Sequence, residues 1–262
     1  LYSHCPPAGI MFAVFRTLLI ISHLLCDVYC VIYNYSFKLY HKLSQIFHGE
    51  NLRTEVEMLV QTANRTNKLP RHVVIIFGLK ENNILDCVQI IGWCITLGIP
   101  YVSFFDVNGF LSRNEDLLKN EITKRRPSLE HHISWTKSKK SPTRNGVTGI
   151  KSTVRVTLLS YTDGKGEIVS LTQELANAVK LGTIKSEEIN DILLNEKLNT
   201  RGIPDPDLAI IYGHVCSTYG LLPWHTRTTE FFMLPSHSDS LSALDFSHLL
   251  DKYSKCEQRY GK

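Results

Sequence analysis

Short apolar, β-branched runs alternate with helix-patterned segments from about residue 70 onward, and that alternation leaves few folds open. HVVIIF (72–77) is apolar at every position, so it predicts a strand buried on both faces rather than one half-exposed. ILDCVQIIGWCITLG (84–98) has helical spacing and stops at Gly98, a natural C-cap. PYVSFFD (100–106) predicts a second strand. FLSRNEDLLKNEITKRR (110–126) predicts an exposed helix whose basic residues crowd its C-terminal end, as the helix dipole favours. VRVTLLSY (154–161), DLAIIYG (207–213) and TEFFML (229–234) predict further strands. Helices are predicted over 167–182, 186–198 and 242–256. Strands separated by helices predict an α/β domain with a mostly parallel sheet flanked by helices. Ligands of such sheets bind beyond the carboxyl ends of the strands. The places to inspect therefore follow Phe77, Asp106 and Tyr212.

The N-terminal region has a different character. Residues 10–33 read IMFAVFRTLLIISHLLCDVYCVIY, long enough to cross the roughly 30 Å of bilayer hydrocarbon. Arg16, His23 and Asp27 interrupt the run, and a charge at that depth costs several kcal/mol. At about 100° per residue these three and Asn34 fall on one narrow stripe. Three readings fit: a span whose stripe faces another helix, an amphipathic helix in the interface, or a buried helix of a soluble core. The span is preferred, because basic residues are scarce on the stripe. A cleaved signal peptide fits poorly, with no basic n-region or small-residue cleavage site. Residues 1–9 carry no Lys or Arg, whereas Lys38, Lys42 and Arg53 follow the run, which orients the C-terminal part to the cytosol. The expected organisation is an N-terminal region over 1–36 with its membrane segment at about 10–33, a juxtamembrane helical linker over 37–69, and the α/β domain over 70–262.

Composition excludes some classes. Hydrophobic residues make up 43% and charged residues 21%, so the chain is not disordered throughout. A net charge of +4 is too mild to make nucleic acid the expected partner. The seven cysteines cannot all pair within the chain. Cys26 and Cys30 sit in the apolar run and Cys87 and Cys94 share a helical face, a pattern of buried free thiols in a reducing compartment. The polar, basic stretch 136–149 reads as a solvated loop.

The strand ends lack familiar phosphate loops and nucleophile elbows. Asp106 reads as a turn-forming carboxylate. His214 and His225 read as structural, with no carboxylate near in sequence, and His131 and His132 as solvated.

Several stretches together resemble the cis-prenyltransferases and, more closely, their non-catalytic eukaryotic subunit, the Nogo-B receptor family. They are Pro204-Asp205-Pro206-Asp207-Leu208, the run Ser217-Thr218-Tyr219-Gly220-Leu221-Leu222-Pro223-Trp224-His225, the segment from Thr229-Glu230 to Leu234-Pro235-Ser236-His237, and the tail Cys256 to Lys262. The resemblance covers about Pro70 to Lys262. It implies an undecaprenyl diphosphate synthase-like fold for 70–262. It also implies condensation of isopentenyl diphosphate onto an allylic diphosphate, with Mg²⁺, to make long-chain polyprenyl (dehydrodolichyl) diphosphate for dolichol synthesis and protein glycosylation.

Departures from the catalytic pattern matter more. The metal-binding Asp after the first strand falls on Gly78. The two diphosphate-gripping arginines fall on Ile211 and Ser217, and the Glu between them on Val215. A diphosphate needs charge-assisted donors, often a bidentate guanidinium. The resemblance therefore implies a chain inactive alone, with no metal ligand of its own, whose catalytic partner holds the Mg²⁺. In the tail, Arg259-Tyr260-Gly261 matches the family's Arg-x-Gly motif. It implies that Arg259 and Gly261 reach the partner's active site and bind isopentenyl diphosphate there. The implied assembly is a heterodimer or dimer of heterodimers at the endoplasmic reticulum membrane, its interface near Phe231 and Phe232. Adjacent strand residues point to opposite faces, so one of these could fill the core and the other meet the partner. A membrane-anchored receptor or scaffold without a catalytic contribution is the alternative, and the Arg-x-Gly tail separates the two.

Overall fold

A computed structural model describes residues 8–47, 52–78, 84–136, 154–198, 202–213, 215–234 and 241–257. The chain divides into two compact units, Leu1–Asn51 and Leu52–Lys262. The first is one long helix, α1 (Ala8–Phe47). Its stretch Met11–Tyr33 is apolar and long enough to span a membrane, and none of it is buried.

The second unit opens with α2 (Leu52–Arg65). The helical pattern expected over 37–69 is thus divided between two helices that belong to different units. Leu59 of α2 is fully buried in the main core. Then follow β1 (His72–Phe77), α3 (Ile84–Leu97), β2 (Tyr101–Asp106), α4 (Phe110–Arg113) and α5 (Glu115–Arg125). A 3-10 segment, Pro127–His132, leads into the short β3 (Ile133–Trp135). After β4 (Val154–Leu159) come α6 (Lys165–Lys180), α7 (Asp191–Leu198), β5 (Leu208–Tyr212), β6 (Glu230–Leu234) and α8 (Ala243–Ser254). The stretch expected as one helix over 186–198 is a 3-10 turn, Ser186–Glu188, followed by α7. The break falls before Asn190, whose side chain accepts a bond from the Leu193 N–H at 3.0 Å, satisfying an orphan donor of the first turn. Strand β3 has no signal in sequence, being three residues next to a polar segment.

Six strands form one sheet in the order β3-β4-β2-β1-β5-β6, and every neighbouring pair is parallel. The α/β reading therefore holds. The period-two alternation of β1 divides its side chains between two cores. Val73, Ile75 and Phe77 join Phe104, Trp93, Leu118, Phe246 and Leu250 beneath α2, α3, α5 and α8. Val74 and Ile76 join Phe105, Leu159, Ala209 and Ile211 on the other face. A third, smaller cluster of Leu171, Leu175 and Leu198 joins α6 to α7.

The second face has an unusual cover. The connection from β5 to β6 crosses it with no helix among its described residues, and its Leu221 and Leu222 complete that core. Its backbone groups bond locally: Leu221 N–H to Thr218 O at 2.9 Å, His225 N–H to Leu222 O at 2.9 Å and Tyr219 N–H to Ser217 Oγ at 3.1 Å.

Cys87 and Cys94 are buried as expected, and burial raises both thiol pKa values. Cys26 and Cys30 are exposed on α1, which corrects their reading as buried thiols. His131 and His132 are exposed. The 136–149 loop, beyond Thr136, lies outside the described residues.

His72 is fully buried at the start of β1. Its Nδ1 lies 2.7 Å from Pro204 O and its Nε2 2.8 Å from Ser103 Oγ. Desolvation lowers its pKa from 6.5 to about 4. Between those values the unfolded chain binds a proton that the folded chain does not. Stability therefore falls as pH drops through that window, by up to about 1.4 kcal/mol per pH unit. In urea unfolding at pH 7 and pH 5, the gap between the wild type and His72→Gln is expected to narrow at the lower pH. A gap independent of pH would contradict this assignment.

Candidate functional site at the carboxyl ends of the strands

The strand order reverses direction between β1 and β5, the switch point where open α/β sheets place ligands. Gly78 follows β1 there and is buried. Its N–H donates to Tyr212 O at 2.8 Å, closing the top of the β1–β5 pair. A glycine offers no side chain to a metal or a phosphate. Ile211 lies within β5 and is 2% exposed, packed against Val74, Ile76 and Leu222. Val215 is 58% exposed. Ser217 caps its own turn by accepting the Tyr219 N–H. His214 lies outside the described residues.

The carboxylates at neighbouring strand ends are engaged with backbone. Asp106 is buried; its Oδ1 accepts from Asn108 N–H at 3.0 Å and its Oδ2 from Leu111 N–H at 2.9 Å. It starts the turn into α4, as its position in the sequence implies. After β4, Asp163 Oδ2 accepts from Ser160 N–H at 2.8 Å and Ser160 Oγ–H at 2.9 Å. Arg113 donates Nη1–H to Asn108 O at 2.7 Å. Among the described residues no three His, Cys, Asp or Glu side chains gather as a metal would need.

The crossover from β5 to β6 is locked against this end of the sheet. Lys165 N–H donates to Gly220 O at 2.8 Å, tying the first turn of α6 to the crossover. A Cβ on Gly164 would lie 2.2 Å from Gly220 O. Only glycine permits so close a backbone approach. Tyr219 (φ 50°), Gly220 (φ 82°) and Leu222 (φ 27°) all occupy the left-handed region, which costs non-glycine residues about 1–3 kcal/mol each. That strain turns Leu221 and Leu222 under the sheet. Gly164 is visible in sequence as half of an Asp-Gly turn, but its contact with Gly220 spans 56 residues and leaves no local signal.

His225 does have a carboxylate partner: its Nδ1 lies 2.9 Å from Asp205 Oδ1. The two meet where the crossover returns beside the chain entering β5, so the pair lies at the amino end of the sheet. The partner lies 20 residues away in sequence, and the contact between two chain segments is consistent with the structural reading of His225.

Strand β6 is an edge of the sheet. Phe231 and Met233 are each 37% exposed and share the face of Ala209 and Ile211 by register. Phe232 packs against the main core. Arg259 and Gly261 lie outside the described residues. The chain before them is tied down: Lys68 Nζ donates to Cys256 O and lies 4.7 Å over the Tyr253 ring.

The fold is similar to that of solved prenyl diphosphate synthases. It is similar to lavandulyl diphosphate synthase from Lavandula x intermedia, with a TM-score of 0.55 at 19% identity over 74% of this chain and 99% of that one. It is likewise similar to a probable undecaprenyl diphosphate synthase from Campylobacter jejuni, with a TM-score of 0.54 at 16% identity over 74% of this chain and all of that one. The family pattern of putative undecaprenyl diphosphate synthases matches residues 128–261. Among sequence relatives, the human dehydrodolichyl diphosphate synthase complex subunit NUS1 is 36% identical over 202 residues, 74% of this chain and 68% of its own length. Its mouse counterpart is 34% identical over 203 residues, 74% of this chain and 67% of its own. The fission yeast subunit is 25% identical over 216 residues, 78% and 82% respectively. The chain belongs to the NUS1 family of dehydrodolichyl diphosphate synthase complex subunits, as the sequence resemblance implied.

Gly164→Ala is expected to destabilise the fold by about 1–3 kcal/mol, the range for overpacking. Gly182, whose Cβ would meet nothing within 4 Å, is the control, and Gly182→Ala should cost only about 1 kcal/mol for its positive φ. Denaturant unfolding of both variants checks this, and equal costs would remove the crossover lock from the account.

Proposed function

We propose that this chain is the non-catalytic subunit of a heteromeric cis-prenyltransferase that makes long-chain polyprenyl (dehydrodolichyl) diphosphate. One observation carries the reading. Gly78, Ile211, Val215 and Ser217 occupy the switch-point positions that the resemblance assigns to metal and diphosphate binding. Ile211 is buried in apolar contacts, where an arginine would leave an uncompensated charge. The described residues bring together no three side chains that could hold a metal ion. In this reading the catalytic partner would hold the Mg²⁺, which would supply charge neutralisation for a leaving diphosphate.

This chain's contribution is positioning. Arg259 offers a fork of donors to the diphosphate of isopentenyl diphosphate. Gly261 lets a backbone N–H approach the same anion closely. Together they hold the nucleophilic alkene in line with the allylic carbon in the partner's site. Lys68, by holding Cys256, supports the point from which the tail departs. Phe231 and Met233 supply an apolar edge for the partner, consistent with aromatic and Met enrichment in interface cores. α1 anchors the complex in the endoplasmic reticulum membrane with the C-terminal unit in the cytosol, where an extended lipid product can leave into the bilayer. The assembly is a heterodimer or a dimer of heterodimers, and its product serves dolichol synthesis and protein glycosylation.

Two variants test this in the complex purified with its catalytic subunit. Arg259→Ala is expected to lower kcat/KM for isopentenyl diphosphate by roughly 100-fold or more, the scale for one preorganised donor, with the complex intact on gel filtration. Unchanged kinetics would reduce the chain to an anchor or scaffold. Phe231→Asp is expected to abolish co-purification while the variant alone remains folded by circular dichroism. Retained co-purification would move the interface elsewhere.

A further inference from the structure

Within Met11–Tyr33 the only arginine, histidine and aspartate are Arg16, His23 and Asp27. All three are exposed on α1, and no described residue pairs with them. Their spacing is specific. Arg16, Ile20, His23, Asp27 and Cys30 follow one another at alternating intervals of four and three residues. That mean period of about 3.5 is the seam of a left-handed helix pair, the commonest crossing geometry of membrane helices. The spacing continues in sequence to Asn34. An apolar groove lined by Leu18, Leu25, Cys26 and Tyr29 borders the seam and meets it at Cys30.

We propose that α1 pairs with α1 of a second copy of this chain, parallel and in register, through this seam. The inference rests on the reading of α1 as a membrane span. Lipid offers no counter-charge, so an ionisable group at bilayer depth needs a protein partner. The seam is self-complementary. In a parallel pair, His23 of one copy lies one turn from Asp27 of the other, and two-fold symmetry makes that contact twice. Arg16 is about 8 Å from the end of the span, within reach of the headgroups by extension of its side chain. A heterologous helix would need its own acid and base one turn apart in this stretch, whereas a second copy carries both in His23 and Asp27. Cys30 then faces its symmetry mate at a separation suited to a disulfide, and Cys26 flanks the seam. Two synthase complexes would thereby be joined through their anchors.

The test uses two differently tagged full-length copies in membranes, treated with copper(II)-phenanthroline as the oxidant that takes two electrons and two protons from a thiol pair. A cross-linked species bearing both tags is expected. It should persist in Cys26→Ser and vanish in Cys30→Ser. Asp27→Ala should reduce it at least about fivefold, the scale of a polar contact between membrane helices. The exchange His23→Asp with Asp27→His should restore it. Absence of a doubly tagged species, its persistence in Cys30→Ser, or capture of Cys30 by a chain of another mass would each overturn the proposal. Alkaline carbonate extraction separates the two readings. A chain that stays with the membrane without cross-linking contradicts the pairing alone, and a chain released by carbonate contradicts the span and the pairing with it.

Discussion

Each strand of this sheet runs parallel to its neighbours, so each needs a crossover and both faces need a cover. The first face is covered by α2, α3, α5 and α8. The second is completed by a strap from β5 to β6 that packs Leu221 and Leu222 against Val74, Ile76 and Ile211. The remaining features follow from that strap. It demands left-handed backbone at Tyr219, Gly220 and Leu222, and it demands a glycine at position 164. It also returns the chain to the amino end of the sheet, where His225 meets Asp205.

The same packing bears on the chemistry. A side chain at position 211 points into the small core rather than toward solvent, and isoleucine satisfies that environment as arginine would not. Gly78 closes the β1–β5 junction with its backbone alone. Asp106 and Asp163, the acidic groups at adjacent strand ends, are bonded to backbone donors of their own turns. In this fold these positions serve packing and turn formation.

Where sequence carried local physics, the structure was legible in it. The uninterrupted apolar run of β1 announced burial on both faces, Gly98 ended α3, and Asp106 announced its turn. The family relationship was also legible, because the Ser217–His225 and Pro204–Leu208 stretches are distinctive together. Features that depend on distant partners were not legible. Nothing in the sequence joins Gly164 to Gly220, or His225 to Asp205, and β3 is too short for a period to register. The juxtamembrane helix read as continuous because 37–47 and 52–65 share helical spacing; burial of Leu59 in the second unit is what distinguishes them.

The central claim is that this fold has kept its scaffold and given up its own chemistry, working only with a catalytic subunit. The most direct measurement is incorporation of radiolabelled isopentenyl diphosphate into long-chain product by the purified full-length chain alone and by the chain with its cognate catalytic subunit, both with Mg²⁺ and an allylic diphosphate. The account predicts no product from the chain alone and robust synthesis from the pair. Product from the chain alone would contradict it.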